Sequence, residues 1–346
     1  MKVIHIESGL GNQMLAYAEY LAIKKMNSNE ECYIESIIYE IPEASNVISQ
    51  WNGYELEKIF NIKLPNVKEL FTNKQWNSII NNVKASRFWE NDWAYPKAIC
   101  KALNEELDIE LINKCTSLDG VFKTSYISDF KNYLLSFPLG YSIRTKLKNI
   151  NKKKYIEMYS QPEKLFFTDS NNLYCGFTLL FQYRNNNIEI IEQELRQSFV
   201  FPQFTEKRDF LINQKILTTS SVAIHIRRGD RTSSTNKYYS GGYFKKAVNF
   251  IKKKVENPYF YIFSDPDSCK WAIENYKLLG LNENDNVDFV DWHNGEDSYR
   301  DMQLISNCKH AIITVSSFSW WGAYLINNKG KIVISPEVEI NTNTHV

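Results

Sequence analysis

A chain of 346 residues is long enough for about two domains at ~150 residues each. With 43% apolar and 23% charged residues, it is not disordered overall and needs no disulfide or metal staple. Lys and Arg number 41 and Asp and Glu 40, a net charge of +1 that excludes the basic excess of bulk nucleic-acid binders. The opening residues are broken by Glu7 too soon for a signal peptide, and no run approaches the ~18 apolar residues of a membrane span. The six cysteines lack CxxC or zinc spacing and are read as reduced thiols of a cytosolic protein.

In chain order, residues 3–6 form a short apolar strand, Gly9-Leu10-Gly11 a turn, and Met14, Leu15, Ala18, Leu21 and Ala22 recur at helical spacing. A second strand at 32–34 completes a βαβ opening. From about 37 to 214 only helical patches stand out, at 77–83 and 188–198. A lysine-rich stretch at 144–154 reads as a solvated loop or a peripheral membrane contact. Regular alternation then begins. Strands are expected at 221–226, 259–263, 287–290, 311–315 and 331–335. Helices are expected at 243–255, 270–279, 298–307 and 318–326, the third opened by Ser298 and Asp301 in a near capping box. Such alternation implies parallel strands with helices on both faces. The fold class is therefore α/β with two Rossmann-like domains, 1–214 and 215–346.

Ligands of such sheets bind beyond the carboxyl ends of the strands. His225-Ile-Arg227-Arg228-Gly-Asp230 lies at one such end, where two guanidiniums suit a pyrophosphate, although an Arg/Asp cluster on a rim would look the same. Gly9-Leu-Gly11-Asn12-Gln13-Met14 imitates GxGxxG, with Glu30 or Glu31 about twenty residues on. Met14 replaces the third glycine, and the amides of Asn12 and Gln13 suit hydroxyls. Ser264-Asp265-Pro266-Asp267 is either a helix cap or an Asp-x-Asp metal pair, with the cap favoured. Ser316-Ser317-Phe318 opens a helix whose N–H groups could hold a phosphate, and Trp320-Trp321 follow as core or stacking surface. GxSxG, HExxH and GxxxxGK[ST] are absent from the sequence. His5 and His310 read as satisfied core histidines.

SGLGNQM at 8–14, HIRRGD at 225–230, FSD at 263–265 and SSFSWWGA at 316–323, in this order, resemble the α-1,2-fucosyltransferases of glycosyltransferase family 11. Pro266 stands where that family usually has a second Asp, and Glu7-Ser8 where small residues are common. The resemblance implies a GT-B-type fold, two Rossmann-like domains facing across a cleft. It implies GDP-fucose as donor on the carboxyl domain, with no metal or other cofactor, and inverting transfer to the 2-hydroxyl of a β-galactoside in a surface glycan such as an O-antigen, or in protein glycosylation.

Under this reading the donor residues are Gly11, Asn12, Gln13, His225, Arg227, Arg228, Ser264, Asp265, Ser316, Ser317 and Phe318. Arg227 clamps the diphosphate, His225 shapes the site and Asn12 reaches across from the facing domain. Glu7 and Asp230 are the candidate bases. The partners are GDP-fucose and a galactose-containing glycan, and the location is the cytoplasm or the inner membrane face. The alternatives are another linkage or nucleotide sugar, a nicotinamide oxidoreductase built on the first glycine turn, and a non-catalytic carbohydrate-binding protein.

Overall fold

A computed structural model of the protein describes residues 1–45, 52–90, 95–113, 170–174, 191–227, 242–264 and 266–336. The calls at 144–154, Arg228, Asp230 and Asp265 lie outside these residues, as does the side chain of Asp267. Two parallel sheets organise the chain. The first runs β2 (Cys32–Glu35), β1 (Lys2–His5), β4 (Asn172–Tyr174), β3 (Ile112–Asn113). β1 is buried on both faces, as a central parallel strand should be. Helix α1 (Leu10–Met26) joins β1 to β2, the expected βαβ opening. It is buried almost all round because the sheet covers one side and the second unit another. Lys24 and Lys25 in its last turn suit the helix dipole, and Asn27 Nδ2 donates to the carbonyl of Ile23 at 2.7 Å.

Among the described residues, five further helices belong to this unit: α2 (Pro42–Ser45), α3 (Leu56–Phe60), α4 (Asn73–Ala85), α5 (Tyr95–Glu106) and α6 (Glu192–Ser198). α4 starts four residues before the predicted 77 because Thr72 and Gln75 form a capping box there.

The second sheet runs β7 (Asn286–Val290), β6 (Pro258–Ser264), β5 (Ser220–Ile226), β8 (His310–Ile312), β9 (Val333–Ile334), again all parallel. Val222, Ile224 and Ile226 point to one face with Phe260 and Ile262, under α8 (Tyr243–Lys254) and α9 (Pro266–Glu274). Ala223, Tyr261 and Phe263 point to the other, under α7 (Lys207–Thr218), α10 (Tyr299–Asn307) and α11 (Ser317–Leu325). This is the doubly wound arrangement read from the sequence. Its strand order reverses between β5 and β8, which opens a crevice at their carboxyl ends.

The two units are joined as well as facing. One apolar cluster contains Ile4, Met14, Leu15 and Ile34 of the first and Tyr299, Met302, Trp321 and Tyr324 of the second. The capping box predicted at Ser298 does not form: Ser298 is helical and its side chain makes no cap bond. Asp301 instead bonds His293 Nδ1 at 2.6 Å, while His293 Nε2 meets Asp209 Oδ1 of α7 at 2.9 Å and Trp292 Nε1 donates to the same oxygen at 2.8 Å. A buried imidazole thus ties α7 and α10 to the loop after β7. Replacing His293 by Ala would leave two buried carboxylates facing each other without their bridge. His293→Ala should cost about 3–5 kcal/mol of stability, read as a lowered urea midpoint with intact secondary structure.

Candidate active site

β5 ends at Ile226, and the crevice begins at its last residues. His225 is 8% exposed and its Nδ1 lies 3.3 Å from Thr314 Oγ1 beyond β8. Burial, then the neighbouring charge of Arg227, lowers its pKa to about 3. It is a neutral imidazole here, a hydrogen-bonding wall beside the ring of Phe318 rather than a phosphate cation. Arg227 follows at the crevice, and its Nη1 donates to Ser316 Oγ at 3.3 Å. Both contacts span the gap between β5 and β8.

Ser316 is the residue from which α11 starts. It makes no side-chain cap, and the first turn of α11 holds no acidic residue. The backbone N–H groups of Ser317, Phe318 and Ser319 have no described hydrogen-bond acceptor. A helix amino terminus with open donors and a guanidinium beside it is a seat for an anion. Ser264, at the end of β6, adds a buried hydroxyl with no partner among the described residues. α9 begins at Pro266, which fits the helix-cap reading of the stretch before it.

The glycine turn of the first unit is built differently. Gly9 starts α1 without a side-chain cap, but the N–H of Leu10 donates to Glu55 Oε2 at 3.0 Å. Glu55 is 2% exposed, so a protein carboxylate already occupies this helix terminus. Gln13 is fully buried: its Nε2 donates to the carbonyls of Ser8 (2.9 Å) and Gly53 (2.8 Å), and its Oε1 accepts from Glu55 N (2.8 Å). Its amide is spent inside the first unit. Glu30 pairs with Lys2 and the terminal amine before β2 starts, at the end of the sheet away from a ligand. These three findings oppose the dinucleotide reading of the turn.

Gly11 instead meets the second unit. A Cβ placed there would lie 2.5 Å from Phe318 N and 2.8 Å from Ser317 C, so only glycine admits this approach. Trp321 Nε1 donates to Gly11 O at 3.0 Å, and Ser317 Oγ donates to Asn12 Oδ1 at 2.6 Å. Asn12 therefore does not cap α1; it ties the two units at the edge of the anion seat. Trp321 is fully buried, a core residue as one of its two sequence readings had it. Thr314 is legible in the sequence as a residue at the ligand end of its strand, whereas Glu55 carries no local signal, 45 residues from its partner Leu10.

The fold defines a two-unit α/β protein whose candidate site lies at a topological switch point between β5 and β8. The glycosyl transferase family 11 model matches residues 67–343, and the chain belongs to that family. It is 36% identical over 130 residues to an α-1,2-colitosyltransferase of Escherichia coli, covering 36% of this chain and 43% of that protein. It is 30% identical over 206 residues to the O-antigen biosynthesis glycosyltransferase WbnK of Escherichia coli, covering 54% and 62%. It is 28% identical over 111 residues to galactoside α-(1,2)-fucosyltransferase 1 of Rattus norvegicus, covering 30% and 27%. The chain thus spans less than two thirds of the length of each of these relatives.

Gly11→Ala should push α1 and α11 apart, since backbone rather than a flexible side chain blocks the new methyl. A cost of about 1–3 kcal/mol is expected. Asn12→Ala, which loses one hydrogen bond, should cost about 1 kcal/mol. Thermal melts of the two variants, run side by side, check the ranking.

Proposed function

We propose that the protein transfers L-fucose from GDP-fucose to the 2-hydroxyl of a β-galactoside, with inversion and without a metal ion, in the assembly of a surface glycan. The observation that carries this reading is the uncapped start of α11 with Arg227 bonded to Ser316 at its edge. When the bond between sugar and phosphate breaks, negative charge collects on the departing diphosphate. Fixed positive charge and oriented N–H groups stabilise that charge more than they stabilise the ground state. Arg227 and the Ser317–Ser319 backbone are suited to that task, and a permanently charged guanidinium can do it without a divalent ion. The neutral His225, Thr314 and Ser264 would line the rest of the donor pocket. The motif resemblance supports guanosine diphosphate as the nucleotide, and the names of the relatives support α-1,2 linkage, a galactoside and O-antigen work.

A second reading is favoured by one comparison: the relative matched at 36% identity is named for colitosyl transfer, so a colitosyl donor competes with a fucosyl one. Among the described residues, Cys32, Cys100 and Cys308 are buried thiols outside any disulfide, which supports a cytoplasmic location on the reducing side of the membrane. No helix among the described residues is long and apolar enough to cross a membrane.

GDP, but neither UDP nor NAD, should raise the melting temperature. Incubation with GDP-fucose or GDP-colitose and a panel of galactosides, with products read by mass and linkage, identifies donor and acceptor. Turnover should persist in excess EDTA. Arg227→Ala should lower kcat by about 10²–10³-fold while the protein remains folded. Near wild-type turnover in that variant would sink the anion-seat assignment.

A further inference from the structure

Behind the mouth of β1 lies a charged cluster that the donor seat does not use. His5 closes β1 and is 1% exposed. Its Nδ1 is hydrogen-bonded to Glu35, its register partner at the end of β2, and its Nε2 lies 3.4 Å from Glu7 Oε2. Glu35 is fully buried and its second oxygen accepts from Ile37 N at 3.1 Å. The Glu7 side chain is 24% exposed. One imidazole therefore links a locked, buried carboxylate to a carboxylate open at the carboxyl end of the sheet. His310 is a different case: its Nδ1 accepts from Ile332 N at 3.0 Å, an ordinary core histidine.

We propose that Glu7 takes the proton of the attacking acceptor hydroxyl, and that His5 and Glu35 are positioning residues that aim it. This rests on the transferase reading above. Glu7 immediately precedes the turn that grips α11: Asn12 holds Ser317, and the neighbouring Ser316 holds Arg227. The carboxylate thus stands at the ligand end of β1, the first unit's own switch point between β1 and β4. In the step, the acceptor oxygen bonds to the anomeric carbon as the bond from that carbon to the phosphate oxygen breaks. The bonding pair leaves with the diphosphate, and the hydroxyl proton moves to Glu7. His5 Nε2 faces Glu7 Oε2 at 3.4 Å as an ion pair rather than a formed hydrogen bond, and Oε1 carries no hydrogen bond among the described residues.

The groups facing His5 are Glu7, Glu35, Glu19 of α1 and Tyr95 of α5, whose ring centroid is 4.6 Å from the imidazole; Tyr39 after β2 faces Glu7. Burial opposes a charge on His5, but Glu35 and Glu7 outweigh it and raise the pKa to about 10. Glu19 is fully buried with neither oxygen bonded; burial, offset in part by His5, raises its pKa to about 8, so it is neutral at pH 7. Burial, chiefly, also keeps Tyr39 and Tyr95 neutral. The imidazolium then stands between the carboxyl groups of Glu35 and Glu7 and orients Glu7.

The test uses the purified full chain with GDP-fucose and an accepted galactoside. Glu7→Gln should lower kcat at least about 100-fold while leaving the donor KM and the GDP-induced melting shift unchanged, and Glu7→Asp should recover part of the rate. His5→Gln removes the imidazolium that orients Glu7. Its kcat should fall about tenfold at unchanged donor KM, and this loss should disappear when Glu7 is already Gln. A merely structural role would lower the rate of the Glu7→Gln variant as well. Glu7→Gln turnover within threefold of wild type, or a His5→Gln loss that persists undiminished in the Glu7→Gln background, overturns the proposal. If His5→Gln does not fold, the two Glu7 variants, at a partly exposed position, decide alone. A wild-type chain that transfers sugar from no GDP-sugar overturns the transferase reading and this one together.

Discussion

The site depends on the absence of one side chain. At Gly11 the backbone of α1 touches the backbone at the start of α11, and no larger residue fits between them. That approach lets the Trp321 indole reach the Gly11 carbonyl and the Ser317 hydroxyl reach Asn12. It also fixes where the first turn of α11 lies relative to β1. Two polar groups of the site are tied to residues at or just before that turn: Arg227 through Ser316, and His225 through Thr314.

The two helix termini that meet there have opposite electrostatic fates. Both offer unpaired N–H groups and a positive dipole end. At α1 the Glu55 carboxylate has filled the place, at the cost of burying an ionisable group whose pKa burial raises. At α11 no acidic residue enters the first turn, and an arginine stands by. A glycine-rich turn alone is therefore a poor guide to phosphate binding. What distinguishes the sites is which terminus the rest of the chain leaves open.

Much of the second unit is legible in sequence because its strands are apolar runs separated by helices of ordinary length. His225 and Arg227 stand out for the same reason, as polar residues at the end of such a run. The first unit resists reading because its sheet pairs strands far apart in the chain: β1 at 2–5 lies beside β4 at 172–174. The links that decide the site are also the longest-range ones. Asn12 and Ser317 are 305 residues apart, and Gly11 and Trp321 are 310 apart. Local logic fails even where it applies: Asp301 matches a capping pattern, but His293 claims its carboxylate. Similarly, His5 reads as a quiet core histidine until Glu35, thirty residues on, turns it into an ion-pair centre.

The shared apolar cluster also bears on how the chain is made. The buried faces of α1 and β1 leave the ribosome long before Tyr299, Met302, Trp321 and Tyr324, which complete their packing. The first unit must therefore wait, with apolar surface uncovered, while the intervening chain is made. Domains generally fold as units in the order they are made, and exposed apolar surface promotes aggregation meanwhile. This protein has exchanged independent folding of its halves for a rigid seam between them.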